Sequence, residues 1–389
     1  MPELSPLTKS VRAGIATDTA HGAVVPPLYL SSNFAFAGYG HKGEYDYTRS
    51  GNPTRDQLAD ALAELEHGAG ACITASGMAA VTLVGELVPT GGHIVATHDC
   101  YGGTWRLLDA WSRHNRFKVT FVDFNDPNAL QAALSQDPAL VWVETPSNPL
   151  LRIVDIEAVS IAAHAAGALV VVDNTFLSPA IQRPLKRGAD VVIHSTTKYL
   201  NGHSDVVGGA VIARDTEVQA ELAWWANCLG LSGAPFDSFL TLRGIRTLGP
   251  RIRAHQENAQ AVAYALIENP QVKRVYWPGF VDHEGHEIAA RQQAGFGAML
   301  SFTLRDASAV PDFVNALRCF TLAESLGGVE SLIAHPASMT HASMSPQARQ
   351  EAGIDDGLLR LSVGIEDPDD LISDLYAALA VENATVVLS

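Results

Sequence analysis

VVVDNTF, at Val170–Phe176, and HSTTKYLNGHSD, at His194–Asp205, are the two stretches most informative about the fold class. Each lies at the end of a short apolar run that is typical of a buried strand. Asp173 ends the first run, and Lys198 follows the second. Open α/β sheets bind ligands at the carboxyl ends of their strands, so both side chains are predicted to lie at that edge.

The same pattern continues on both sides of these stretches, from about Pro53 to Arg214. Short runs rich in β-branched residues alternate with amphipathic stretches, which predicts an α/β fold with a mainly parallel central sheet. The predicted strands are Ala71–Thr74, His93–Thr97, Leu140–Glu144, Ala168–Asp173, Val191–His194 and Gly209–Ala213.

Two of the predicted helices have clear ends. One covers Thr54–Glu66, and Asn52 before it is a suitable N-cap. The other covers Ile156–Ala166, with Asp155 as its N-cap and Gly167 ending it. These boundaries support helices that connect successive strands.

The chain is predicted to have three parts. Residues 1–50 are rich in turn formers and aromatics but lack a helical period, which predicts an extended N-terminal arm. Such an arm is too thin to bury its own aromatics, so we expect it to lie on another surface, such as a partner subunit. Residues 51–249 form the main domain, and a long helical pattern at Ile252–Glu268 begins a smaller domain of residues 250–389.

Composition and motifs exclude several classes of protein. The 389 residues include 26 Lys+Arg and 42 Asp+Glu, and the net charge of −16 argues against nucleic-acid binding. No run approaches the ~18 apolar residues of a membrane span, and the first residues do not resemble a signal peptide, so we expect a cytoplasmic protein. Dinucleotide and P-loop motifs are absent. The cysteines show no paired spacing, so no metal site is predicted.

Asp173 and Lys198 together suit pyridoxal 5'-phosphate (PLP). A lysine amine can condense with the aldehyde of PLP, and a carboxylate beside the pyridine nitrogen keeps that nitrogen protonated. Alone, an aspartate is usually a helix cap and a lysine a solvated surface charge. Here, however, Lys198 follows the hydroxyl residues Ser195, Thr196 and Thr197, which can donate hydrogen bonds to a phosphate.

Two further elements favour the same cofactor. The strand Ala71–Thr74 is followed by Ser76, Gly77 and Met78 and then by a helical pattern, so a helix N-terminus with its free N–H groups is predicted at the same edge. Many strand-to-helix turns contain glycine, so this turn is weak support alone. Tyr101 follows the next strand, and its ring could stack on the pyridine.

Seven separated blocks resemble the Cys/Met-metabolism family of PLP-dependent enzymes, in the order found in that family. They extend along nearly the whole chain. The blocks are YDYTRSGNPT (Tyr45–Thr54), SGMAA (Ser76–Ala80), HDCYGGT (His98–Thr104), ETPSNPLLRIVDI (Glu144–Ile156), VVDNTF (Val171–Phe176), HSTTKYLNGHSD (His194–Asp205) and AESLGGVESL (Ala323–Leu332).

The resemblance implies an aspartate-aminotransferase-like fold with a smaller α+β C-terminal domain, PLP as cofactor and an amino acid as substrate. Lys198 would bind the aldehyde and transfer protons, Asp173 would pair with the pyridine nitrogen, and Tyr101 would stack on the ring. It also implies an active site shared between subunits, usually in a tetramer. The phosphate would be held by Ser76, Gly77, Met78, Ser195 and Thr197, and by Tyr47 and Arg49 of a neighbouring subunit.

The resemblance also implies a substrate pocket. Arg360 would bind the α-carboxylate through a bidentate pair, beside Asn148 and Ser325. Glu324 could orient an incoming cysteine. A succinyl carboxylate could be received by Arg106 and Arg49.

Within the family, the sequence Glu324–Leu326 is similar to that of γ-synthases and γ-lyases. The β-lyases carry a tyrosine and a tryptophan around this serine, and methionine γ-lyases lack the glutamate. The regions Thr321–Glu366, Glu221–Asn227 and Gly285–Phe302 most resemble bacterial γ-synthases. This implies γ-replacement of O-succinylhomoserine with cysteine to give cystathionine, with a γ-lyase or an O-acylhomoserine sulfhydrylase as alternatives.

The sequence disfavours two hypotheses from other classes. A non-catalytic protein that kept the fold is disfavoured because Lys198, Asp173 and Arg360 are all intact. A dehydrogenase-like α/β protein is disfavoured because no dinucleotide fingerprint is present.

Overall fold

The structure, a computed structural model, describes residues 4–339 and 353–386. Within these residues the chain forms two compact units. The first comprises the residues up to His98, Gly103–Glu144 and Asp155–Gly249. The second comprises Asp99–Gly102, Thr145–Val154 and the described residues from Pro250 onward.

The elements up to the end of the first unit alternate between helices and strands. The helices are α1 (Pro6–Arg12), α2 (Pro53–Glu66), α3 (Gly77–Gly85), α4 (Gly102–Arg113), α5 (Pro127–Leu134), α6 (Ile156–Ala165), α7 (Ser178–Ile181), α8 (Thr216–Leu229) and α9 (Pro235–Ile245). The strands are β1 (Gly70–Thr74), β2 (His93–Thr97), β3 (Lys118–Val122), β4 (Leu140–Glu144), β5 (Leu169–Asp173), β6 (Val191–Ser195) and β7 (Gly209–Ala213).

These strands form one sheet in the order β1-β7-β6-β5-β4-β2-β3. The pairs from β6 to β3 are parallel, and β7 pairs antiparallel with both β6 and β1. The predicted mainly parallel sheet is therefore confirmed. Strand β3 was not predicted from the sequence. This strand lies at the edge of the sheet, where Lys118 is exposed and, within the strand, only Val122 is buried. It therefore lacks the continuous apolar run of a central strand.

The two helices whose ends were predicted from capping residues are present, and each begins after its predicted N-cap. The Asn52 side chain accepts hydrogen bonds from the N–H groups of Thr54 and Arg55 at the start of α2. Asp155 caps α6 through the Ala158 N–H, and Gly167 after the helix has a φ of +77°.

The N-terminal region differs from a purely extended arm because it begins with α1. Ser5 caps this helix through the Thr8 N–H, and Pro6 stands at the first helical position. The seven residues of α1 are too few to show a helical period in the sequence. Between α1 and α2 the chain is irregular, with an isolated bridge between Asn33 and Tyr47.

The second unit contains a five-stranded sheet in the order β10-β11-β12-β9-β8, mainly antiparallel. Its elements are α10 (Leu248–Glu268, which starts in the first unit), β8 (Val272–Tyr276), α11 (His286–Gln292), β9 (Met299–Leu304), α12 (Val310–Ala316), β10 (Thr321–Leu322), β11 (Leu332–Ala334), β12 (Leu358–Ser362) and α13 (Pro368–Val386).

Two short segments depart from the predicted domain boundary at residue 250. Asp99–Gly102 and Thr145–Val154 precede that boundary in sequence but belong to the second unit. Polar contacts explain this grouping: the Asp99 carboxylate accepts from the Ser147 hydroxyl at 2.6 Å. Ser301 of β9 likewise donates its hydroxyl to the Pro149 carbonyl at 2.7 Å.

No helix among the described residues is long and apolar enough to cross a membrane.

Candidate active site

Two neighbouring strands of the first unit end at the predicted site. Asp173 is the last residue of β5 and Ser195 the last of β6, and the parallel register pairs Asp173 with Ile193. Lys198 lies in the turn after β6, where its N–H donates to the Ser195 carbonyl at 3.3 Å and its carbonyl accepts from the Gly202 N–H at 2.8 Å. Asp173 and Lys198 are therefore both placed at the carboxyl edge of this sheet.

The Asp173 carboxyl is half-buried and largely removed from solvent, an environment that favours a cationic partner. Burial raises the pKa of Asp173, while hydrogen bonds from Thr175 and the nearby His194 partly counteract that rise. The Thr175 N–H donates to Asp173 Oδ1 at 3.0 Å, and Thr175 Oγ1 accepts from the Ser195 N–H at 2.9 Å. Thr175, which the sequence reasoning missed, thus links the ends of β5 and β6; its only signal was its place in VVVDNTF.

The start of α3 forms a cradle beside Ser195. The Ser76 hydroxyl caps the helix by accepting from the Ala79 N–H at 3.1 Å. A Cβ on Gly77 would lie 2.9 Å from Ser195 Cβ, so only glycine allows the two elements to approach this closely. The Met78 side chain packs against the hydrophobic core, which fixes the first turn of α3 on the sheet. The first N–H groups of a helix lack internal acceptors, and with the Ser195 hydroxyl they suit a phosphate.

The turn that carries Lys198 is hydrogen-bonded to Gly208, the residue that precedes β7. Thr197 Oγ1 donates to the Gly208 carbonyl at 3.2 Å and accepts from the Gly208 N–H at 3.0 Å. A Cβ on Gly209 would lie 2.3 Å from the Ser76 carbonyl oxygen, so this glycine, also missed in the sequence reasoning, lets β7 pass close to the cradle. The half-buried Asp173 carboxyl and the N-terminus of α3 fit the nitrogen and the phosphate of PLP.

A buried polar network lies next to Asp173. His194 Nε2 and Glu66 Oε1 are 2.6 Å apart, and the two side chains are 1% and 0% exposed. Asn174 Nδ2 donates to the same Glu66 oxygen at 2.9 Å, and Gln182 Nε2 donates to Asn174 Oδ1 at 3.1 Å. The network joins the end of α2 to the ends of β5 and β6.

Three predicted residues of the first unit lie on exposed parts of the chain. Tyr47 is 50% exposed, and the Arg49 guanidinium lies 5.6 Å from its ring centroid. Arg49 Nη1 also donates to the backbone carbonyl and the Oδ1 of Asn227 on α8, both at 2.7 Å. Arg106 is exposed on α4. Their contact with a neighbouring subunit or a succinyl group stays a prediction.

In the second unit, three predicted substrate residues are joined directly. Arg360 on β12 is 3% exposed, and its Nη1 donates to Asn148 Oδ1 at 3.0 Å. Its Nη2 donates to the Ser325 carbonyl at 2.8 Å. The guanidinium is therefore held at two points, which fixes the orientation that bidentate carboxylate binding requires.

The other predicted residues of the second unit are more exposed. Tyr101 is 45% exposed, in the segment that begins with Asp99. Glu324 is exposed beside Ser325, whose φ of +85° is unusual for a residue with a side chain. No group of three or more histidine, cysteine or acidic side chains in the described part of the chain could hold a metal ion.

Comparison with known proteins gives a consistent result along the chain. A family model described as Cys/Met metabolism PLP-dependent enzyme matches residues 7–380. Cystathionine gamma-synthase of Escherichia coli (strain K12) is 56% identical over 378 residues, covering 97% of this chain and 98% of that enzyme. Cystathionine beta-lyase of Lactococcus lactis subsp. cremoris is 48% identical over 375 residues, covering 96% of this chain and 99% of that enzyme.

A solved structure is similar over the same extent. The crystal structure of cystathionine gamma synthase from Xanthomonas oryzae pv. oryzae in complex with cystathionine has a TM-score of 0.97 and 61% sequence identity, covering 99% of this chain and 100% of that chain. This likeness confirms the fold of PLP-dependent enzymes that the sequence predicted.

Proposed function

We propose that this chain, which belongs to the Cys/Met metabolism family of PLP-dependent enzymes, converts O-succinylhomoserine and cysteine into cystathionine and succinate. The observation that carries the proposal is the buried Arg360 guanidinium, held by Asn148 and the Ser325 carbonyl, because this arrangement suits an amino-acid carboxylate. The choice of reaction is supported by the relatives that are 56% and 61% identical and carry the name cystathionine gamma-synthase.

Each cofactor-binding residue has a defined task. PLP, the cofactor of this family, when bound supplies an aldehyde to which amines add and a ring that withdraws electrons from the α-carbon of an amino acid. Asp173 holds a negative charge at the ring nitrogen, and the N-terminus of α3 with Ser195 binds the phosphate. Lys198 removes the α-proton of the substrate and returns a proton later.

The substrate is oriented by the second unit's residues and by arginines. Arg360 binds the α-carboxylate of the homoserine ester, with Asn148 and Ser325 lining the same pocket. Arg106 and Arg49 receive the succinyl carboxylate. Glu324 orients the incoming cysteine. Succinate leaves the γ-carbon first, and the cysteine sulfur then bonds to that carbon, so that a C–S bond replaces the C–O bond and the thiol proton balances the departing carboxylate.

The test uses purified PLP-loaded protein with O-succinylhomoserine and cysteine. We expect cystathionine and succinate in equal amounts, and we expect Lys198→Ala to lose both the product and the visible absorption of lysine-bound PLP. Brisk cleavage of cystathionine without its synthesis would contradict the proposal. A colourless wild-type protein that binds no PLP would instead favour a non-catalytic scaffold.

Cleavage of cystathionine is the second candidate, because a relative named cystathionine gamma-lyase, from Lactobacillus plantarum, is 42% identical and covers 97% of this chain. A γ-lyase would break the bond between the γ-carbon and sulfur, and a sulfhydrylase would accept sulfide in place of cysteine. Side-by-side rates with cysteine, sulfide and cystathionine distinguish these activities. The cytoplasmic location and the tetramer stay predictions.

A further inference from the structure

The segment Ala323–Ser331, here called the 323–331 loop, connects β10 to β11 and carries Glu324 and Ser325. Its ends are held by the short parallel pairing of these strands, in which Thr321 faces Leu332. Between its ends the loop is fastened to β12 and the residues that follow it. These attachments fall on every second loop residue from Ser325 to Ser331.

The first two attachments of the 323–331 loop involve two residues on one face of β12. Arg360 Nη2 donates to the Ser325 carbonyl at 2.8 Å. Two residues further along the strand, Ser362 Oγ accepts from the Gly327 N–H, also at 2.8 Å. Residues i and i+2 of a strand point to the same face, so the arginine and the serine hold the loop side by side.

The other attachments of the 323–331 loop involve residues that follow β12 in the sequence. The Ile365 N–H donates to the Val329 carbonyl at 2.9 Å. The Glu366 carboxylate accepts from both the N–H and the hydroxyl of Ser331, at 2.6 and 2.8 Å. A Cβ on Gly364 would lie 2.5 Å from the Val329 carbonyl oxygen, so the two segments are in close contact.

These attachments explain how Ser325 keeps an unfavourable backbone conformation. Its φ of +85° is in the left-handed region, which residues with a side chain rarely adopt. Such conformations persist where the surrounding structure over-determines them, and they cluster at functional sites. The Ser325 carbonyl accepts a hydrogen bond from Arg360, and two residues later the Gly327 N–H donates to Ser362. Ser362 is only 1% exposed, so this second attachment is buried.

We infer that Ser362 is a positioning residue that fixes the 323–331 loop, and with it Glu324, relative to the carboxylate-binding Arg360. The inference rests on the proposed function. In Ser362→Ala the buried Gly327 N–H loses this acceptor, while Arg360 keeps its hydrogen bond to Asn148. Binding of the homoserine ester is then retained, and placement of the second substrate is lost.

The consequence is a change in product partition. With cysteine well placed, the ester is converted to cystathionine and succinate. Without it, the ester reacts with water, giving succinate, 2-oxobutanoate and ammonia. For Ser362→Ala we expect the ratio of cystathionine to 2-oxobutanoate to fall about tenfold and the KM for cysteine to rise, with succinate release within about twofold of wild type.

Two further variants complete the experiment. Ser331→Ala removes a hydroxyl contact to Glu366 and should shift the ratio in the same direction, which keeps the test available if Ser362→Ala does not fold. Ser160→Ala is the matched control, because Ser160 is also 1% exposed but lies on α6. It should leave the ratio unchanged.

Amide hydrogen exchange provides a readout that is independent of activity. In Ser362→Ala, peptides covering Gly327 should exchange about tenfold faster, while peptides covering β9 should not change. Unchanged exchange, or a parallel fall of all products, overturns the inference. A wild-type protein that forms no cystathionine contradicts the proposed function instead, and in that case exchange alone decides whether Ser362 holds the loop.

Discussion

At the scale of single residues, Asp173 shows how a partly desolvated charge links cofactor binding to stability. Burial raises the pKa of Asp173 above the ordinary 3.8. The protein without PLP therefore has a stabilising contribution from this group at low pH, and loses it as the pH rises through the raised pKa of the folded state. A cationic ring nitrogen beside the carboxylate offsets that loss.

Asp173→Asn tests this account. At neutral pH the PLP-free variant should melt at least as high as the PLP-free wild type, with the difference shrinking towards pH 4. PLP should raise the melting temperature of the wild type more than that of the variant. Activity should fall about 10²–10³-fold, because the fixed charge opposite the ring nitrogen is lost. A PLP-free variant that is less stable than wild type at neutral pH would refute the account.

Arg360→Lys tests whether the guanidinium geometry matters beyond its charge. A lysine ammonium cannot bond Asn148 and the Ser325 carbonyl while also presenting two parallel N–H groups to a carboxylate. We expect the KM for the homoserine ester to rise about tenfold or more, with a smaller effect on kcat. Arg305→Lys is the control, because Arg305 is exposed and donates its Nε–H to the Pro270 backbone carbonyl. Equal KM values for the two variants would argue against carboxylate binding by Arg360.

At the scale of secondary-structure elements, the contact between Glu66 and His194 fixes the end of α2 against the end of β6. Glu66→Gln keeps the oxygen that His194 and Asn174 contact but replaces the buried carboxylate by an amide whose N–H groups lack an acceptor there, which should lower the free energy of unfolding by roughly 1–3 kcal/mol. Glu64→Gln, on the same helix but 55% exposed, should change it by less than about 0.5 kcal/mol. Urea unfolding of the PLP-free proteins measures both values, and equal values would show that the buried pair is not stabilising.

The sequence predicted the central strands because β4, β5 and β6 are buried on both faces and so appear as continuous apolar runs. Edge strand β3 lacks that signal, and the seven residues of α1 are too few for a helical period. The network around Glu66 was also missed. A glutamate at a helix end is ordinarily solvated, and only the tertiary fold brings His194 to it.

At the scale of the whole molecule, the order of the blocks predicted the family, but the division into units could not be predicted. Thr145–Val154 belongs to the second unit because Asn148 contacts Arg360, which is 212 residues away in sequence. No local pattern encodes a contact at that separation. Ser362 and Thr175 also make hydrogen bonds to residues that are distant in the sequence, so the sequence alone did not indicate these contacts.

The predicted sharing of the active site between subunits leads to a complementation experiment. Lys198→Ala and Arg49→Ala should each form homo-oligomers of low activity. If Arg49 acts in the neighbour's site, a mixed dimer has one site with both residues intact, so random co-assembly should recover about a quarter of the wild-type activity. Co-assembly of Lys198→Ala with Asp173→Asn is the control, because both residues belong to one chain's site and every mixed site keeps a defect. Full activity of Arg49→Ala alone would instead show that its contact with Asn227 is only structural.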